Sequence, residues 1–109
     1  MKSGTYIGEI VRLELVKSKG GLPMVVCVMD IRDTEEQLVI SKTVTNGYQI
    51  HLVNNFLRSL SSGISVRFKT YTQYSGLICA VADAVADVPY VIYYSGDAVL
   101  EVEKWRDAA

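Results

Sequence analysis

The side chains best suited to bind a soft metal or attack an electrophile are one histidine, His51, and two cysteines, Cys27 and Cys79. Their spacing suits neither task. One histidine and two distant thiols give no metal-ligand pattern, and no cysteine pairs with a histidine in a nucleophile arrangement. Both thiols sit in apolar runs, VVCVM and LICAV, where cysteine acts as a small buried hydrophobe. Gly20-Gly21 lacks the Gly-Lys-Ser/Thr ending of a phosphate loop, and no serine stands in a nucleophile elbow. Asp30 closes an apolar run as a strand-end carboxylate, while Asp83 and Asp87 share a solvated helix face. No catalytic residue, cofactor or metal is expected, and the sequence reads as a non-enzyme.

Binding chemistry is better represented. Lys17 and Lys19 bracket a turn, Lys42 projects from a strand, and Arg67 and Lys69 alternate along another, followed by Tyr71. Cations on phosphates with rings under bases is the arrangement that holds single-stranded nucleic acid. Lys17, Lys19, Lys42, Arg67, Lys69 and Tyr71 are therefore the expected nucleic-acid-binding residues. Tyrosines outnumber phenylalanines seven to two, which suits rings with one wet edge. The run Tyr90-Val91-Ile92-Tyr93-Tyr94 is apolar or aromatic on both faces, so Tyr90, Tyr93 and Tyr94, with Trp105, are the expected protein interface, open to self-association.

Local periodicity supplies the elements that must position these groups. Residues 5–17 alternate, with Val11, Leu13 and Leu15 on one face, Arg12 and Glu14 on the other, and Gly8 marking a bulge or bend. After the turn SKGGLP, residues 24–31 form a continuous apolar run that reads as a central strand, and 37–44 restores alternation. These runs make an antiparallel meander. From Tyr48, Ile50, Val53, Leu57 and Leu60 fall at helical spacing behind a Thr45 or Asn46 cap. ISVRFKT (64–70) reads as a fourth strand, with Ile64, Val66 and Phe68 inward; Ser75–Ala86 reads as a second helix ended by Pro89; the remainder reads as a hairpin turning at Ser95-Gly96-Asp97. The order β-β-β-α-β-α-β-β is mainly β with two helices and follows an OB-fold, a small Greek-key barrel, over a single domain at residues 1–109. An open α+β sheet is the alternative arrangement.

Bulk composition narrows the classes further. The chain has 109 residues, half of them hydrophobic, with a net charge of −1, which argues against an indiscriminate polyanion binder. Residues 1–75 hold nine Lys/Arg against six Asp/Glu, whereas residues 76–109 hold two against six, so any anion-facing surface belongs to the first two-thirds. The N-terminal segment lacks a signal-peptide core and no run reaches membrane-spanning length, so no membrane partner is expected and the chain reads as intracellular.

The stretch SKGGLPMVVCVMDI, then ISKTVTNGYQIHLVNNFLRSLSSGISVRF and YTQYSGLI, resembles a family of small phage and prophage proteins, classed as a domain of unknown function and of single-stranded-DNA-binding, OB type. The similarity covers roughly residues 4–95, and GYQIHLVNNFLRSL (47–60) is its most specific block. The resemblance implies an OB fold, a phage protein acting in DNA replication or recombination in the bacterial cytoplasm, and basic positions at Lys17, Lys19 and Lys42. The chain departs from that pattern in the connection after the second strand, which shrinks to Asp33-Thr34-Glu35-Glu36 and adds carboxylates near a DNA path. That departure supports a second class of function on the same scaffold, a protein-binding inhibitor of host defence such as an anti-CRISPR protein, whose partner is a CRISPR effector nuclease.

Overall fold

The structure, a computed structural model, describes residues 2–67, 71–96 and 98–105. Five strands and two helices follow in the order β1 (Gly4–Lys17), β2 (Pro23–Ile31), β3 (Gln37–Thr43), α1 (Gly47–Ser59), α2 (Tyr71–Val85), β4 (Pro89–Ser95) and β5 (Ala98–Lys104). The strands form one antiparallel sheet, β3-β2-β1-β4-β5, curled into a half-barrel. Long β1 makes this possible by pairing with β2 along its C-terminal part and with β4 along residues 4–9.

The meander and its registers follow from the alternation. Rows such as Ile10–Met29–Leu38 and Leu13–Cys27–Ile40 put apolar side chains on one face, where α1 and α2 cover them. The core gathers Val53, Leu57 and Leu60 from α1, Ile78, Val81 and Val85 from α2, and Tyr90 and Ile92 from β4. Each such side chain withdrawn from water contributes roughly 1.5–3 kcal/mol. Asn46 caps α1 by accepting the Gln49 N–H at 2.9 Å, and Gln49 reaches back to the N–H and hydroxyl of Thr45 at 2.8 and 2.6 Å. One of the donors that the helix start would leave unpaired, the Gln49 N–H, is thereby paired, and the Thr45 N–H just ahead of the cap is paired as well.

Several expectations are corrected. The bulge in β1 lies between Ile10 and Arg12, so Val11 is the extra residue and is exposed, while Ile10 and Leu13 face the core. Gly8 is instead a point of close approach: a Cβ there would stand 2.9 Å from both the Asp30 carbonyl oxygen and Ile92 Cδ1. No fourth strand forms at residues 64–67, and residues 68–70 lie outside the described residues. The backbone at Val66 is engaged elsewhere, since Arg58 Nε and Nη2 donate to its carbonyl at 3.2 and 2.8 Å, and Gly63 at φ 82° turns the chain beforehand. Val66 is buried as expected, but Ile64 is exposed. The second helix begins at Tyr71 rather than Ser75 and ends at Val85, so Asp87 lies beyond it at φ 62°. Cys79, expected inside, is exposed, whereas Cys27 is buried.

Candidate nucleic-acid interface

Register decides which expected cations meet. Lys17 ends β1 opposite Pro23, and Lys42 stands opposite Val25 near the end of β3. Two strand spacings and two residue rows separate them, about 12 Å. Both share the parity of the core-facing positions, in the rows Leu15–Val25–Lys42 and Lys17–Pro23, yet both are exposed. Lys19 lies in the β1–β2 turn. That turn is held by Ser18 N–H to the Leu22 carbonyl at 2.8 Å, Gly21 N–H to the Ser18 carbonyl at 2.9 Å, and Ser18 Oγ accepting the Leu22 N–H at 3.2 Å. Gly21 adopts φ 80°, a left-handed position that suits glycine.

Only three residues, among them the buried Val44, separate the end of β3 from the start of α1, so that start borders the same end of the sheet. Lys42, Gln49 and Leu52 line one shallow depression. The first turn of α1 holds no acidic residue, leaving its positive dipole end uncompensated. Tyr48 in that turn is 71 % exposed, the most open of the large apolar or aromatic side chains described. Lys17, Lys19 and Lys42 thus lie at one end of the sheet, the end at which α1 begins with the exposed Tyr48.

Carboxylates neutralise cations elsewhere. Arg12 is bonded to Glu14, and Arg32 to Glu9 at 2.6 Å, with the Arg32 guanidinium 5.8 Å from the centre of the Trp105 ring. Among the described residues, these are the only ion pairs, and none involves Lys17, Lys19 or Lys42. Arg67 is exposed but lies in the segment tied to Arg58 near the far end of α1, with its Nε 3.2 Å from Ser65 Oγ. Ten helical residues separate Tyr48 from Arg58, roughly 15 Å. Arg67 therefore stands apart from the lysines. Lys69 and the side chain of Tyr71 lie outside the described residues.

The tyrosines divide by role. Tyr90, expected at an interface, is fully buried, with its hydroxyl donating to the Leu60 carbonyl at 2.5 Å. Tyr74 is likewise buried and donates to Asn54 Oδ1 at 2.7 Å, supplying the donor that the amide oxygen of a buried asparagine needs. Burial pushes the pKa of both phenols up to about 12, with Arg58 partly offsetting it at Tyr74. Burial also raises the Cys27 thiol to about 12, which makes it inert. Tyr93 faces outward and donates to Glu103 Oε1 at 2.7 Å, a bond that raises its pKa. Tyr94 faces the opposite side of the same strand and lines the opening between β3 and β5. Tyr90, Tyr93, Tyr94 and Trp105 consequently do not share one surface, because strand parity sends them to opposite faces.

The sequence singles out the three lysines but favours Tyr71, rather than Tyr48, as the stacking ring. The signal was available in the helix period, which leaves Tyr48 off the Ile50–Val53–Leu57 stripe. Among the described residues no helix is long and apolar enough to cross a membrane, and no cluster of three or more His, Cys, Asp or Glu could hold a metal ion. The chain matches no family model and no curated protein.

Proposed function

We propose that this chain is a phage single-stranded-DNA-binding module of OB type, acting in replication or recombination in the bacterial cytoplasm. The observation that carries the reading is the placement of Lys17, Lys19 and Lys42, none in an ion pair among the described residues, at the sheet end where α1 begins with the open Tyr48 ring. Phosphates meet the lysines and the helix start, and a base stacks on the ring. The OB assignment draws on strand order: an OB barrel runs β1-β2-β3-β5-β4 back to β1 with a helix between β3 and β4. The order β3-β2-β1-β4-β5 is that circuit with the β3–β5 seam open. The sequence resemblance points the same way.

A labelled oligo-dT titration followed by fluorescence polarisation tests the proposal. Lys42→Glu and Lys17→Glu should each weaken binding by about tenfold or more at low salt, since each turns an attraction into a repulsion. Arg67→Ala should change it by less than about twofold. Loss on Arg67→Ala with none on Lys42→Glu would contradict the site.

A second reading, a protein-binding inhibitor of host defence such as an anti-CRISPR protein, draws on the outer face of β2 and β3. OB proteins place ligand across that face, and here it carries Val26, Val28 and Val39 rather than rings. Silence toward oligo-dT together with a stoichiometric complex with an RNA-guided nuclease would select this reading.

A further inference from the structure

β3 and β5 end the strand order and, through the antiparallel pairings between them, both run in the direction of β1. Alternation identifies the backbone groups that each edge leaves unpaired. The Val44 N–H donates to the Pro23 carbonyl and the Ile31 N–H to the Glu36 carbonyl, both in the register of the β2–β3 ladder. Bonded rows alternate in such a ladder. Leu38, Ile40 and Lys42 therefore bond toward β2, and Gln37, Val39, Ser41 and Thr43 turn their N–H and carbonyl groups away. On the other side the Trp105 N–H donates to the Pro89 carbonyl, so Glu101 and Glu103 bond toward β4 and Val102 turns its groups away.

Val39, Ser41 and Val102 all line one groove of about 670 Å³ between the two edges. Its apolar lining includes Ile40, Phe56, Tyr94 and Val99. Exposed edges are usually guarded by charges. β5 follows that rule with Glu101, Glu103 and Lys104, but the outward-turned positions of β3 are Gln37, Val39, Ser41 and Thr43, all uncharged. Val39 is 59 % exposed.

We propose that this groove takes an extended peptide strand of a protein partner, running antiparallel to β3 and β5 and bonded to both. Two edges that offer alternating backbone donors and acceptors across one groove are matched by another peptide backbone. The lining then fixes the side chains. Residues at every second position are aliphatic and lie on Ile40, Phe56 and Val99. An antiparallel strand brings its N-terminal end beside Lys42, which calls for a carboxylate there, and its outward positions pass Glu101, which calls for a cation. The proposal stands apart from the nucleic-acid reading, sharing only Lys42.

The probe is the fluorescein-labelled peptide acetyl-Asp-Thr-Val-Lys-Val-Thr-Val-amide, titrated into the full chain. Binding with Kd below about 100 μM is expected, with the amides of Val39, Ser41 and Val102 becoming protected from hydrogen exchange. Val39→Pro removes one outward N–H without touching the β2–β3 ladder and should weaken binding by about tenfold. A peptide N-methylated at its valines should fail against the unaltered protein, whatever Val39→Pro does to folding. Lys42→Glu should weaken the peptide and favour one that begins with Lys. Lys17→Glu, which the nucleic-acid reading needs to be harmful, should leave peptide binding unchanged. Absence of binding at about 1 mM, equal binding of the N-methylated peptide, or protection away from Val39 and Ser41 would overturn the proposal.

Discussion

On the core face of β2, Cys27 and Met29 are almost wholly shielded from solvent, whereas Val26 and Val28, alternating with them along the same strand, stay partly exposed on the outer face. All four are apolar. What separates them is coverage, since both helices contribute to the core on one side of the sheet. The comparison teaches that a continuous apolar run specifies a central strand without specifying that both faces are buried. An aliphatic outer face left uncovered is a property of the assembled fold.

The largest test of this contrast is Met29→Ala. Met29 is fully buried at the centre of the core face, and truncation should cost about 2–5 kcal/mol in urea-induced unfolding. A loss below about 1 kcal/mol would mean that the core face collapses easily around the gap.

Alkaline pH probes the same face through its ionisable groups. The Cys27 thiol is raised from 9.0 to about 12, and the Tyr74 and Tyr90 phenols from 10.0 to about 12. Between the unfolded and folded values, the unfolded chain has released protons that the folded chain retains, so stability falls as pH rises. The decline should begin near pH 9 and steepen beyond 10, reaching on the order of a few kcal/mol by pH 11. Cys27→Ala should move its onset up by about one pH unit, as read from thermal melts.

Smaller effects sharpen the boundary between the faces. Tyr90→Phe strips the Leu60 carbonyl of its buried donor and should cost about 1–3 kcal/mol. Val28→Thr, one residue from Met29 but outward, should change stability by less than about 0.5 kcal/mol. If Val28→Thr matched Met29→Ala, the outer face would have to be covered in solution.

Much of the fold was legible because strand and helix periods differ. The meander, the α1 stripe and the final hairpin are all readable from spacing alone, whereas the choice of Asn46 over Thr45 as the α1 cap is settled only by the fold. The segment 64–70 misled because its alternation is that of a strand, while the use of its backbone depends on Arg58, a residue on another element. Gly8 reads as a bulge or bend because glycine often marks one, although Gly8 is needed for its close approach to β2 and β4 and the bulge lies at Val11. The site was partly legible. Lys17, Lys19 and Lys42 stand out by type and projection, but their placement at one end of the sheet rests on the β1–β2–β3 register. Tyr90 could not be separated from Tyr93 and Tyr94 by composition, since only the packed core decides which phenol finds a buried carbonyl.

The salt dependence of oligo-dT affinity tests the account most directly. Three lysines engaging phosphates predict that log K falls against log salt with a slope of about −2, and that Lys17→Ala or Lys42→Ala each makes it shallower by about 0.7. A slope near zero, or one that Arg67→Ala alone reduces, would contradict the assignment of the Lys17–Lys42 end as the DNA-binding surface.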